Sequence, residues 1–315
     1  MTEIAIVGGG LMGHGIALVL ALHGHDVRIT DTAPETRARI PALMASALAT
    51  LREAGAAPQG WDADRLGQAV RVEADLEPAV AGAGLVIEAI TENPEAKRAL
   101  FTELDRLCAP DTILASNTSY LDVFPLIPVA RQSRALILHW YTPPYIVDLV
   151  DVVPGPSTDP AVVSAMADLV RGLGQVPIVL KCFIPGYIAN RIQQAISAEV
   201  FRLLDADVAA PRDIDDAIIH GLSLRIPILG HLAKADFTGL ELTQRALANA
   251  SYVPPLRTRS ETLDALCAEG RTGVMAGKGY FDWGGRPPEE LFRERDRKLL
   301  ALKAAMAGIG RMEGT

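Results

Sequence analysis

The chain has 315 residues, of which 49% are hydrophobic and 22% charged, with a formal net charge of −8. That length exceeds one ordinary compact core and points to two domains, and the composition is that of a folded globular protein. The acidic balance, without any run of Lys or Arg, argues against a nucleic-acid binder, which needs a basic face for phosphates.

The apolar start, Ile4 to Leu22, has Glu3 where a signal peptide would carry basic residues, and it is interrupted by Gly8-Gly9-Gly10, Gly13 and Gly15. No other uncharged stretch reaches membrane-spanning length. Candidate strands follow at Ile4–Val7, Asp26–Thr30, Val70–Val72, Leu85–Glu88, Thr112–Ala115, Ala135–Leu138, Leu149–Val153 and Pro177–Leu180. Between them lie helical patterns at Leu11–His23, Glu35–Glu53, Pro94–Cys108 and Pro160–Leu173. This alternation predicts parallel β-α-β units. After Lys181 the texture changes: Pro185-Gly186 breaks the pattern, a helical run follows from Tyr187 to Asp205, and Pro211 opens another helix. The remainder reads as helices punctuated by Gly and Pro. The expected architecture is α/β, with a dinucleotide-binding domain over residues 1–184 and an all-α domain over 185–315. The cysteines (Cys108, Cys182, Cys267) are far apart, with no metal-ligand spacing, so a reduced cytoplasmic protein without disulfides or a metal site is expected.

Ile4 to Gly13 is a strand running into G-x-G-x-x-G and then a helix. In such a turn Gly8 permits the tight bend, Gly10 lets the backbone approach a pyrophosphate, and Gly13 permits close helix–sheet packing. Leu11 and Met12 complete the turn at the helix N-terminus, where free N–H groups favour an anion. Asp31 stands 18 residues beyond Gly13, at the end of the second strand, where a carboxylate accepts from ribose hydroxyls. It would repel a 2′-phosphate, and Thr32 and Ala33 rather than Arg come next, so the expected cofactor is NAD.

Four further segments carry chemistry: Glu92-Asn93-Pro94-Glu95-Ala96-Lys97, Ser116-Asn117-Thr118-Ser119, His139-Trp140-Tyr141-Thr142-Pro143-Pro144 leading to Asp151, and Pro185-Gly186-Tyr187-Ile188-Ala189-Asn190-Arg191. In this order the chain resembles the L-3-hydroxyacyl-CoA dehydrogenase superfamily, through to Gly277-Lys278-Gly279-Tyr280-Phe281 near the end. Its branches include 3-hydroxybutyryl-CoA, L-gulonate (lambda-crystallin), L-carnitine and pyridine-aldehyde dehydrogenases. The resemblance implies that His139 is the general base, oriented by Asp151 twelve residues on, and that Ser119 and Asn190 bind the substrate oxygen. It places Glu92, Lys97, Ser119 and Thr142 near the cofactor. It also implies an active site between two domains and a homodimer formed by the helical one. Trp140, Tyr141 and Tyr145 read as packing residues.

Two departures stand out. The family's usual Glu is Asp151, shorter by roughly 1.5 Å, and its usual Asn is Thr142. A displacement of about 1 Å can cost on the order of 10²-fold in rate. Either the backbone compensates, or the pair serves a different substrate geometry, or Asp151 is not the orienting acid. The substrate reading also departs from the family name. CoA phosphates call for Lys or Arg, yet Leu43 to Gln59 offers only Arg52, with Asp62, Asp64 and Glu73 beyond. Gly221-Leu222-Ser223-Leu224-Arg225 resembles the branches acting on free acids, with Arg225 as a candidate carboxylate clamp. A small free hydroxy acid is therefore expected. The rivals are a 3-hydroxyacyl-CoA, an aldehyde on an aromatic acid, and a crystallin-like or NADH-sensing protein without turnover.

Overall fold

The computed structural model describes residues 3–249 and 260–310. The chain divides into two compact units, Met1–Ala189 and Asn190–Thr315. The division falls at the start of the long helix that follows Pro185-Gly186, where the sequence reading places it at 184.

The first unit is built on one sheet of eight strands. They are β1 (Ile4–Val7), β2 (Val27–Thr30), β3 (Val70–Val72), β4 (Leu85–Glu88), β5 (Ile113–Ser116), β6 (Ala135–Trp140), β7 (Leu149–Pro154) and β8 (Val176–Val179), in the order β3-β2-β1-β4-β5-β6-β7-β8. Helices α1 (Gly13–Leu22), α2 (Pro34–Glu53), α3 (Ala63–Ala69), α4 (Leu76–Val80), α5 (Pro94–Leu107) and α6 (Pro160–Gly172) make the connections. The central strands are buried over their whole length, as strands covered on both faces must be, which is why they read as unbroken apolar runs. The order reverses direction between β1 and β4, and in open α/β sheets ligands bind outside the carboxyl ends of strands at such a point.

One pairing departs from the expectation of parallel units. β7 runs antiparallel to β6, with His139 opposite Asp151. The connection from 141 to 148 holds no helix and is too short for the crossover that a parallel strand requires. Short helices α3 and α4, each seven residues or fewer, also escape periodicity analysis.

The second unit comprises α7 (Ala189–Asp205), α8 (Pro211–Asp216), a π-helical turn (Ala217–Ser223), α9 (Ile226–Thr238, kinked at Gly230), α10 (Leu240–Leu247), α11 (Glu261–Ala268) and α12 (Pro288–Ile309). α11 is capped by Ser260, whose hydroxyl accepts from the Leu263 amide and donates to Asp205. No helix among the described residues is long and apolar enough to cross a membrane.

Candidate active site

The glycine turn after β1 is set by contact distance. A Cβ on Gly13 would lie 1.8 Å from the Gly8 carbonyl oxygen, so only glycine lets α1 start this close to β1. Gly8 has φ +108°, and a side chain there would strike the Ala89 backbone on β4's exit loop. Gly10, by contrast, faces open space, as close backbone approach to a ligand demands. Leu11 is 70% exposed, and Met12 Sδ accepts from the Thr142 hydroxyl at 3.0 Å.

A cleft of about 710 Å³ opens beside this turn, lined by Gly8, Gly10, Asp31, Arg37, Ala89 and Thr91 among others. The Asp31 carboxylate accepts from the Gly9 amide at 2.8 Å and the Ala33 amide at 2.9 Å, which locks it on the cleft wall. Arg37, which the sequence reading passed over, donates to the carbonyls of Asp31 and Thr32. An adenosine–pyrophosphate fits these features: open glycine backbone, a fixed carboxylate for ribose, and a cleft of cofactor size.

The ends of β5, β6 and β7 converge on one imidazole. His139 is 3% exposed. Its Nε2 lies 3.1 Å from Ser119 Oγ, and its Nδ1 lies 3.1 Å from Asp151 Oδ2. The antiparallel register resolves the shorter acid: directly opposite residues have Cβ atoms about 4.5–5.5 Å apart, close enough for aspartate to span. Tyr141 donates its hydroxyl to the same Asp151 oxygen at 2.7 Å and sets its ring edge-on to the imidazole, 4.6 Å between centroids. Asp151 Oδ1 is buried without a hydrogen-bond partner among the described residues. Tyr187, fully buried, lies 4.8 Å from the imidazole on centroids and donates its hydroxyl to the Thr118 carbonyl at 2.6 Å. Burial pushes its phenol far above the usual range, so it stays a donor.

Ser119 sits on a loop held by one carboxylate. Glu92 Oε1 accepts from the Thr118 hydroxyl and from the amides of Ser119, Tyr120 and Leu121, at 2.8 to 3.1 Å. Burial works to raise the Glu92 pKa, but these donors and the Lys97 charge outweigh it and hold the carboxyl below its ordinary value. Lys97 itself is 1% exposed, its ammonium 2.5 Å from Glu88 Oε1 and 3.8 Å from Glu92 Oε2. Glu88 also accepts from the Ile90 amide and the Ser116 hydroxyl. Lys97 is thus packed into an ionic network beneath the site, and among the lining residues of the cleft are Ala96 and Leu100 rather than Lys97.

Ser119, His139, Asp151, Glu92, Lys97, Thr142 and the glycine turn all belong to the first unit. Asn190 and Arg225 belong to the second. There Asn190 occupies the first turn of α7, and Arg225 is exposed between the π-helical turn and α9, its Nη2 donating to the Gly221 carbonyl at 2.9 Å. Tyr141 lies one residue past the end of β6, so strand alternation from His139 does not extend to it, and nothing in its spacing marks its hydroxyl for Asp151. The buried Glu88 and Ser116 carried no signal either, since a polar strand end looks like a boundary.

Comparison with known proteins matches both units to one family. Residues 3–182 match the family model for the NAD binding domain of 3-hydroxyacyl-CoA dehydrogenase, and residues 186–283 match its C-terminal domain. The 5-formyl-3-hydroxy-2-methylpyridine 4-carboxylate 5-dehydrogenase of Mesorhizobium japonicum is 32% identical over 97% of this chain and 98% of its own. An L-carnitine dehydrogenase of Streptomyces coelicolor is 32% identical over 98% of this chain and 96% of its own. A crystal structure of a 5-formyl-3-hydroxy-2-methylpyridine 4-carboxylic acid 5-dehydrogenase, described as an NAD+-dependent dismutase, superposes with a TM-score of 0.87, covering 99% of this chain and 100% of that one at 30% identity.

Proposed function

Since the chain belongs to the 3-hydroxyacyl-CoA dehydrogenase family and is an NAD-dependent oxidoreductase, we propose that it oxidises a hydroxyl-bearing carbon of a small free carboxylic acid, with His139 as the base. The observation that carries this is the line Ser119–His139–Asp151, with both imidazole nitrogens engaged and Nε2 turned to a hydroxyl. NAD, when bound, supplies the hydride acceptor. His139 Nε2 takes the hydroxyl proton as hydride departs from the carbon. Asp151 keeps the other proton on Nδ1 and stabilises the imidazolium that forms. Ser119 Oγ marks the place of the substrate oxygen, and Asn190, in the second unit, is a proposed substrate-binding residue by family likeness.

A free acid is favoured over a CoA thioester because the stretch Leu43 to Gln59, which would meet CoA phosphates, offers only Arg52, in the last turn of α2, with the exposed carboxylates of Asp62 and Asp64 following. Arg225 is the proposed clamp for the substrate carboxylate. The likeness to the pyridine carboxylate dehydrogenase supports a second reading, an aromatic aldehyde acid oxidised as its hydrate by the same base. Either substrate is compatible with a cytoplasmic homodimer. In support of the dimer, α7 and α9 bury no residue fully and expose Ile192, Leu232 and Phe237.

The test is NAD reduction against 3-hydroxyacyl-CoA thioesters, free 3-hydroxy acids, carnitine, gulonate and pyridine aldehyde acids, with His139→Ala as control. Turnover of a free acid, lost by two or more orders of magnitude in His139→Ala with NADH binding intact, is expected. Efficient turnover of 3-hydroxyacyl-CoA thioesters but of no free acid would overturn the substrate class.

A further inference from the structure

The buried carboxylate of Asp151 is 1% exposed, and both of its hydrogen bonds converge on a single oxygen. The bond from His139 Nδ1, at 3.1 Å, is long for one between charged partners, which usually fall near 2.7–2.9 Å. The bond from the Tyr141 hydroxyl, at 2.7 Å, is the shorter of the two. The other oxygen has no hydrogen-bond partner among the described residues. An ionised carboxylate in so dry a place is costly unless donors satisfy it, and here Tyr141 is the nearer donor. Its ring also stands edge-on to the imidazole, while Tyr187 closes on the same imidazole at a 50° tilt.

From this geometry we propose that Tyr141 is a positioning residue for the catalytic pair: its hydroxyl holds Asp151 Oδ2 in place and shares that oxygen with His139, so that the short acid orients the imidazole without binding it tightly. The inference rests on the assignment of His139 as base. It goes further by giving a role to a residue outside the His–acid pair and by explaining how aspartate serves in this position. An oxygen shared between two donors gives each a weaker bond. Remove the hydroxyl, and the His139–Asp151 bond takes all of it.

The consequence is a shift in the proton affinity of the pair. The groups around the imidazole are Asp151 on β7, Tyr141 just beyond β6, Ser119 after β5 and Tyr187 after β8, with Glu92 and Asp122 acting on Tyr187 at longer range. With imidazole neutral, the pair carries one negative charge, and Tyr141 stabilises that state most. Without the hydroxyl, the pair takes up its next proton at higher pH, whichever of the two groups receives it.

The experiment uses Tyr141→Phe, which keeps the ring and deletes only the donor. Imidazole nitrogen resonances of the full-length protein labelled in histidine, assigned with His139→Gln, are followed across pH without substrate. The expected result is a rise of about one pH unit in the titration of His139, roughly the size of one lost hydrogen bond to a charged group. The turnover rate at neutral pH, measured with whichever free acid the panel identifies, should fall about tenfold, with affinity for NADH unchanged and the melting temperature lower by only a few degrees. In an Asp151→Asn background, Tyr141→Phe should cost little more. An unmoved titration, or an equal loss in both backgrounds, would overturn the role given to Tyr141. Full activity in His139→Ala would instead overturn the base, a failure that the two variants tell apart.

Discussion

Lys97→Met tests the ionic network beneath the site. Lys97 and Glu88 are 1% and 0% exposed and 2.5 Å apart. With an effective dielectric near 20, their gross attraction is about 7 kcal/mol, most of which offsets the cost of taking two charges out of water. Methionine fills a similar volume but leaves Glu88 with only the Ile90 amide and the Ser116 hydroxyl. Breaking one side of a buried pair typically costs about 3–5 kcal/mol. For a domain of this size each kcal/mol lowers the melting temperature by about 2–4 °C, so a drop of about 6–20 °C is expected by calorimetry. Glu88→Gln added to Lys97→Met should restore much of it, because the orphaned charge is then gone. A loss under about 1 kcal/mol, or no recovery in the double variant, would refute the reasoning and return Lys97 to the cofactor role that its motif implies.

Asp31→Ser should narrow the preference for NAD over NADP at least tenfold, since it removes the carboxylate from the cleft wall and leaves Arg37 beside it to meet a 2′-phosphate; steady-state kinetics with both cofactors decide this. Gly13→Ala should abolish NADH binding in a fluorescence titration, because its methyl group would sit 1.8 Å from the Gly8 carbonyl; near-normal affinity would mean the turn is not the pyrophosphate site. Arg225→Met should raise KM for the acid substrate about 10- to 100-fold with NAD affinity unchanged, the size expected for a lost hydrogen-bonded charge.

The sheet was largely legible because covered strands leave unbroken apolar runs: β1 and β4 begin and end where the pattern predicts, and so does short β3 despite its exposed Arg71. The glycine turn and Asp31 were legible because their spacing encodes geometry. The antiparallel β6–β7 pair was not, since a strand's direction depends on the length of its connection rather than on its own residues. Tyr141 reads as packing because a tyrosine's apolar ring dominates its sequence signature, while its hydroxyl partner, Asp151, lies ten residues away on β7. Lys97 was matched by motif to the cofactor, but the fold surrounds its ammonium with Glu88 and Glu92, neither of which sequence spacing alone identifies as its partner.

The Glu92 carboxylate fastens the Ser119 loop through electrostatics rather than apolar packing. Because its pKa is lowered in the folded protein, the stabilisation it provides is fully present above the ordinary glutamate value and is lost only as pH falls through the depressed one. Imidazoles change charge between about pH 5 and 8, well above that window. Slackening of the serine loop therefore belongs below the ordinary glutamate range, and a change in turnover at higher pH does not come from it.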